Sequence, residues 1–558
     1  MIRSAEPAAT GRTRLPVLPD ALFIVLVAGL PALAYLDGLG FYSDDLAFRA
    51  SMILADEPGF ACAYRALVAE HGMASRPLQA AWLAGLHVLF GDAALPTHSA
   101  NLAVFLAGLA ILHAALRRAG ADRPTALAVP LVFASLPHDA TVRFWYASFQ
   151  IPLSATLFFA FLYAIARFLD RPRGAANGWL AAALGAMTAS ALAYEVFLPL
   201  FAPAALALGL VRRSGAGRRP AWIAAGVAAA GTLALLAVKL AIRDDRRVWS
   251  GDATEWADAV AWLAEGVVRS TLIDNGLALP ANVARLVATH PDPAAIAAAA
   301  LCGLAIAMRL HVVARRDPAP LPLGRAAGAV GLGAVLWAGS YGVFLDNFQI
   351  GFSPTGIANR VHVAGAVGLA VAVVGGVAAI GGVLPRAAAR IAVPGLLAAG
   401  CALGILVTAT LGGFWADAAK AQGRVLARIE AAIPDPPPGT AILVDGICPY
   451  IGPAPVFESS WDLAGALQIR HGDPSLRADV IKPSTRIGPG GLTTTQYGGF
   501  FERYPYGPLI VVDGATGAAA WLEDAAAARA WFERAGRDPA SCVFTDGGGV
   551  PVYRSPSG

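Results

Sequence analysis

Charge is scarce in this sequence: Asp, Glu, Lys and Arg make up 14% of its 558 residues, where an ordinary globular chain carries about 25%. Only Lys239, Lys420 and Lys482 are lysines, so the basic side chains are almost all arginine. The formal net charge of +4 is small and scattered, which excludes a nucleic-acid partner. Five cysteines in this length exclude a disulfide scaffold. There is no GxxxxGK[ST] loop, no HExxH, no CxxC and no GxSxG, which argues against ATP-driven transport and the familiar soluble hydrolases. What is abundant is apolar surface. At 57% hydrophobic residues and a mean hydropathy of +0.58, the chain has more than a water-soluble core can hide, and it uses lipid as part of its solvent.

A helical span needs roughly 20 apolar residues, and eleven runs qualify: 20–39, 97–116, 124–140, 146–166, 177–194, 196–211, 220–242, 293–313, 326–345, 361–383 and 391–411. The stretch Pro77 to Gly91 is shorter and amphipathic, with Leu78, Ala81, Trp82, Gly85, Leu86, Leu89 and Phe90 on one face, so it is read as an interfacial helix. Arginine placement supports that choice. With the N-terminus inside and eleven spans, Arg12/Arg14, Arg117/Arg118/Arg123, Arg167/Arg171/Arg173, Arg212/Arg213/Arg218/Arg219, Arg315/Arg316/Arg325 and Arg386/Arg390 all fall on the cytoplasmic side. Ala32-Leu33-Ala34 resembles a processing site, but the run is long for a cleaved leader and a retained first helix keeps this orientation.

The expected fold class is thus an all-α polytopic membrane protein with a small external α/β domain. Residues 1–19 form a cytoplasmic segment, 20–411 the membrane module with external loops 40–96 and 243–292, and 412–558 the external domain. Both loops carry amphipathic stretches, one with Phe60, Ala63, Tyr64, Leu67 and Val68, the other with Trp256, Ala259, Val260, Leu263 and Val267, expected to roof a cavity. The last segment shows strand-like runs at 440–444 and 509–512 and a helix-like 515–535. Cys448 and Cys542 fall there, as a bridge or as two buried thiols, whereas Cys302 and Cys401 lie in spans and are expected to stay reduced.

Polar residues gather at the external ends of the spans: Asp44 and Asp45, Arg76, His98, Asn101, His138, Arg143, Trp145, Tyr194, Glu195, Asp346, Asn347 and Arg360. Ionisable groups near bilayer depth are costly and mark a functional site. Asp44/Asp45 directly follow the first span and do nothing for anchoring, and Glu195 sits inside an apolar stretch. The histidines also fit a simpler role, a helix-end side chain bonded to one backbone group, and His87, His113 and His311 are read as packing residues. Trp145, Tyr194, Tyr42 and Trp82 suit either sugar stacking or an interfacial aromatic belt.

Several of these residues stand in motifs. Asp44-Asp45, Ser75-Arg76-Pro77-Leu78, Phe90-Gly91, His98-Ser99-Ala100-Asn101-Leu102 with His113, Phe133 to His138 leading to Trp145, Ala193-Tyr194-Glu195 followed by Pro199, and Asn359-Arg360-Val361 occur in that order. Together they resemble the GT-C superfamily of polytopic glycosyltransferases, and within it the protein O-mannosyltransferase type, over roughly residues 20 to 380. Tyr194-Glu195 departs from the Lys-Glu usual there, and the C-terminal segment resembles no repeat array.

The resemblance implies an inverting glycosyltransferase that takes its sugar from a polyprenyl-phosphate donor and delivers it to a hydroxyl of a glycan, lipid or protein. The expected place is the bacterial inner membrane, with the site and the C-terminal domain on the periplasmic side. On this reading Asp44, with Asp45 second, is the general base, and Arg360 and Arg76 hold the departing phosphate, with Arg143, Arg243, Arg246 and Arg247 in reserve. Glu195 steadies positive charge on the sugar; His98, Asn101, His138, Trp145 and Tyr194 line the donor site. A divalent metal, Mg or Mn, on Asp44 and Glu195 is equally compatible. A carrier or flippase for lipid-linked sugars, and a non-catalytic envelope assembly protein, are the alternatives; neither inverted repeats nor broken helices are evident in the sequence.

Overall fold

The computed structural model describes residues 19–170, 176–211, 219–242, 253–316, 322–345, 351–482, 484–496 and 501–535. Each of the eleven apolar runs lies on helix. Among the described residues seven helices are long and apolar enough to cross a membrane by themselves: Ala94–Arg118, Tyr146–Asp170, Arg219–Ala241, Pro293–Arg316, Leu323–Phe344, Ile357–Val383 and Arg386–Ala432. The run expected at 124–140 is a broken span, Arg123–Ser135 and Pro137–Arg143, bent by 65°. That break is a correction to the sequence reading, and its cause is Pro137, whose ring cannot continue the helix that precedes it. Asp20–Ala34 and Glu195–Gly209 are shorter apolar helices, and Ala176–Ala193 completes the set. The chain is an integral membrane protein.

Close helix contact comes from residues without side chains. A Cβ on Gly333 would stand 2.5 Å from the amide nitrogen of Ala372, and one on Gly368 would stand 2.4 Å from that of Trp337. The helices Leu323–Ser340 and Val363–Val383 therefore meet backbone to backbone, the contact that small residues permit in lipid, where no hydrophobic effect pulls helices together.

The amphipathic stretches form the expected helices Phe60–Glu70, Pro77–Phe90 and Ala253–Val267. In Pro77–Phe90 the protein core takes Gln79, Ala80, Leu83, Ala84 and Leu86, with Trp82 and Phe90 of the predicted face packed against it, while Leu89 is exposed. The stretch Ala253–Val267 runs directly into a π-helix, Val268–Leu277.

The last helix does not stop near 411. It runs unbroken for 47 residues, Arg386–Ala432, about 70 Å at 1.5 Å per residue and more than twice the length a bilayer core requires. Its outer part carries Val425, Leu426 and Ile429 into the core of the C-terminal domain, and Gln422 donates a 2.8 Å hydrogen bond to the carbonyl of Val456. Three parallel strands, Arg477–Val480, Ala441–Asp445 and Leu509–Asp513, form that domain's sheet, with Ala519–Trp521 as an antiparallel edge. The central strand is buried at every residue, because each face is covered. Ile442 and Val444 pack toward the long helix and the helix Ser460–His471; Ala441 and Leu443 pack toward a second, three-stranded antiparallel sheet and the helix Ala525–Ala535. The helix-like 515–535 of the sequence thus divides into an edge strand and a shorter helix. Cys448 is disulfide-bonded, while Cys62, Cys302 and Cys401 are free thiols; Cys542 lies outside the described residues.

Candidate active site

The first span ends against the last, with Tyr35 filling the space over Gly412. The chain then turns through Ser43, a non-glycine residue with a left-handed φ of 50°, into the helix Asp44–Ile53. Both aspartates occupy its first turn, where the positive end of the helix dipole favours carboxylates. Their surroundings differ. Asp45 is fully buried and accepts hydrogen bonds from the backbone amides of Tyr42 (2.8 Å), Tyr146 (3.3 Å) and Ala147 (2.7 Å). Those bonds occupy both oxygens and tie the first loop to the segment after the broken span. Asp44 is only part-buried. Its carboxyl is pushed up to about 6, chiefly by burial; Glu458 pushes the same way, while Arg360 and the Trp461 side chain oppose.

Arg360 stands in the turn Ile357–His362. Asn359 locks that turn: its amide donates to the carbonyls of Pro137 (3.1 Å) and Pro354 (2.8 Å), and its oxygen accepts from the amide of Thr141 (3.3 Å). The Arg360 guanidinium donates to the Ile357 carbonyl at 2.7 Å and lies 4.9 Å over the ring of Trp145. Trp145 in turn donates from its indole to the carbonyl of Tyr42 at 3.0 Å. A buried aromatic ring therefore connects the turn carrying Arg360 to the turn carrying Asp44. The two side chains are within electrostatic reach, and among the described residues no ion pair joins them.

Glu195 belongs to a second cluster. Arg76 grips it with two nitrogens, one of them at 3.0 Å, and Lys239 approaches at 3.1 Å while also donating to the carbonyl of Ser75 at 2.8 Å. The Arg76 guanidinium lies 4.6 Å over the ring of Tyr194. Two cations face this carboxylate. Glu195, engaged in this way, is not paired with Asp44, and among the described residues no group of three His, Cys, Asp or Glu side chains is placed to hold a metal ion.

The remaining candidates brace backbone. His98 bonds to the carbonyl of Gly40 (2.9 Å), Asn101 donates to that of Val142 (3.0 Å) and His138 bonds to that of Thr271 (2.9 Å) in the π-helix; each is nearly fully buried. Arg143 donates to the carbonyl of Ala134 at 2.7 Å across the break and lies 4.7 Å over Phe105. The aromatic side chains are not free platforms. Trp145 and Tyr42 are buried, the second with its hydroxyl on the carbonyl of Trp415. Asp346, Asn347, Arg243, Arg246 and Arg247 lie outside the described residues.

Four residues at these places escape the sequence reading. Lys239 is a lysine inside an apolar span, and that oddity alone could have flagged it. Asp139 is wholly buried in the broken span with Arg143 3.9 Å away. Glu458 and Trp461 come from the C-terminal domain, and nothing in their local sequence points to a site in the membrane module.

No family model matches the chain, and no curated protein matches it. Two solved structures of ArnT from Cupriavidus metallidurans do, one in the apo state and one bound to undecaprenyl phosphate; each is 16% identical, with a TM-score of 0.36, over 81% of this chain and 88% and 84% of theirs respectively. At that score the likeness gives no residue a role.

Proposed function

We propose that this protein is a glycosyltransferase that moves a sugar from a polyprenyl-phosphate donor to an acceptor hydroxyl at the external membrane surface. The observation that carries the reading is the pairing of Asp44 and Arg360: opposite charges, brought from opposite ends of the membrane module, near each other and not neutralised by a direct ion pair. An enzyme of this kind needs that arrangement, since a salt bridge would tie up both groups.

In the proposed step the acceptor hydroxyl gives its proton to Asp44 as its oxygen bonds to the anomeric carbon. The bond from that carbon to the phosphate oxygen breaks, and polyprenyl phosphate leaves with the electron pair. Direct displacement inverts the anomeric centre. Arg360, braced on Trp145, takes the growing negative charge on the leaving phosphate; a guanidinium binds two oxygens at once and stays charged throughout. Arg76, which holds Glu195 and stacks on Tyr194, is the second guanidinium offered to the donor phosphate. Asp45 holds the loop and takes no proton. No metal enters the step as written.

The test is transfer by purified protein in nanodiscs with polyprenyl-phosphate-sugar donors. Asp44→Asn keeps size and most hydrogen bonding while removing the basic oxygen, so transfer falls by about 10² to 10⁴ and donor binding survives. Near-normal transfer by Asp44→Asn sinks the mechanism and favours a carrier.

A further inference from the structure

The C-terminal domain meets the membrane module at the candidate site. The segment after the central strand, residues 446–458, lies against three parts of the module at once. Gly452 packs against the ring of Phe414 on the last helix, the carbonyl of Pro453 lies 3.3 Å from where a Cβ of Gly356 would be, and Glu458 accepts a 2.5 Å hydrogen bond from the hydroxyl of Ser43. Gly356 precedes the turn of Arg360, and Ser43 precedes Asp44. One strap therefore touches the turns that lead into both members of the proposed catalytic pair. It also follows the carboxyl end of a parallel strand, the side of an open α/β sheet on which ligand crevices form.

Glu458 is held from several directions. The hydroxyl of Tyr450 donates to its other carboxylate oxygen, and its backbone amide donates to Asp462 at 2.7 Å. Asp462 also takes the Ser459 amide at 3.2 Å in a capping box that starts the helix Ser460–His471. That helix crosses Asp44–Ile53 so closely that a Cβ on Gly465 would sit 2.6 Å from the backbone of Leu46. The mechanism above gives Glu458 no task, yet a carboxylate beside a catalytic carboxylate is a costly thing to build.

We propose that Glu458 is a positioning residue: clamped by Ser43 and Tyr450, it docks the C-terminal domain on the turn carrying Asp44 and sets the charge environment of that carboxylate without touching substrate. The inference rests on the reading of Asp44 as general base. The groups facing Asp44 are Arg360 from the turn Ile357–His362, Glu458 and Trp461 from the C-terminal domain, and Asp45 on its own helix. Among them Glu458 is the carboxylate from another element, and its negative charge favours the protonated form of Asp44.

The test uses the full-length protein in nanodiscs and compares wild type with Glu458→Gln, Glu458→Asp and Tyr450→Phe. A water-soluble carbodiimide with glycinamide labels protonated carboxyls, and peptide mapping reads the label on Asp44 as pH is varied. Glu458→Gln removes the charge and keeps the shape, so the labelling midpoint moves down by roughly one pH unit; Glu458→Asp, which retains the charge, stays nearer wild type. Tyr450→Phe loosens the clamp and moves the midpoint less than Glu458→Gln. An unmoved midpoint in Glu458→Gln, or an equal shift in Glu458→Asp, overturns the proposal. This readout needs no sugar donor: a shifted midpoint in a protein that transfers nothing upholds the placement of Glu458 and defeats the glycosyltransferase reading alone.

Discussion

Substituting Gly465 with alanine tests whether the C-terminal domain is seated on the helix of Asp44 as tightly as the backbone contact requires. The added methyl would stand 2.6 Å from the carbonyl carbon and oxygen of Leu46 and 2.8 Å from the amide nitrogen of Ala47, whereas ordinary contact is about 3.5 to 4.0 Å. Those are backbone atoms of a second helix and cannot rotate aside, so the two helices must part by the better part of an ångström. Overpacking of that kind costs about 1–3 kcal/mol. Alanine also gains about 1 kcal/mol over glycine within a helix, which would mask part of the loss. The matched control is Gly423→Ala in the exposed outer part of the last helix, where a Cβ meets nothing within 4 Å. Propensity is common to both variants, so their difference isolates the clash at about 1–3 kcal/mol, or roughly 2–12 °C in apparent Tm for a unit of this size. The assay is thermal unfolding in nanodiscs followed by tryptophan fluorescence, with protease cleavage in the linker 433–440 as a second reading. Gly423→Ala should hold or gain stability, while Gly465→Ala should lose it and become more readily cleaved. Equal melting shifts and equal cleavage would refute the close docking.

Transfer should rise with pH through about 6, because the working form of Asp44 is the carboxylate and its carboxyl is pushed up to about 6; a pH–rate profile of kcat/KM flat across that range removes Asp44 as the base. Arg360→Lys keeps the charge but loses the two-nitrogen fork and its stacking on Trp145, so kcat/KM for the donor should fall by about 10- to 150-fold, a loss of roughly 1.5–3 kcal/mol; a change confined to the KM of the acceptor contradicts the phosphate role. Glu195→Gln removes the charge that Arg76 and Lys239 both contact and should destabilise the fold by about 3–5 kcal/mol, read as a lowered Tm; an unchanged Tm means the cluster is not a buried ion pair. Thiols introduced at Ser214 and Ser484 should be protected and exposed, respectively, to impermeant labelling of intact cells, and the reverse pattern overturns the arginine-based orientation.

Sequence alone determined the parts of this protein that follow from local chemistry. Apolar runs of span length mark helices because backbone groups in lipid must be bonded within the segment, while the arginines give an expected orientation that the labelling experiment tests. It also brought forward Asp44, Arg360, Arg76 and Glu195, since ionisable residues at span ends stand out against an apolar background. Partners were a different matter. That Glu195 is bound by Arg76 and Lys239, that Asp45 is consumed by three backbone amides while Asp44 faces Arg360, Glu458 and Trp461, and that Trp145 lies under Arg360 all depend on contacts between segments far apart in the chain. The break at Pro137 hid in the same way, because its polar residues, His138 and Asp139, are satisfied or sheltered by other elements. Glu458 was least legible of all. Its place beside Asp44 is created by a helix that continues 21 residues past the expected end of the last span at 411, to Ala432, and by a helix crossing at Gly465 that no periodicity records. Local sequence sets which segments can enter the membrane, but the approach of two charges is fixed only when the chain's distant surfaces are packed together.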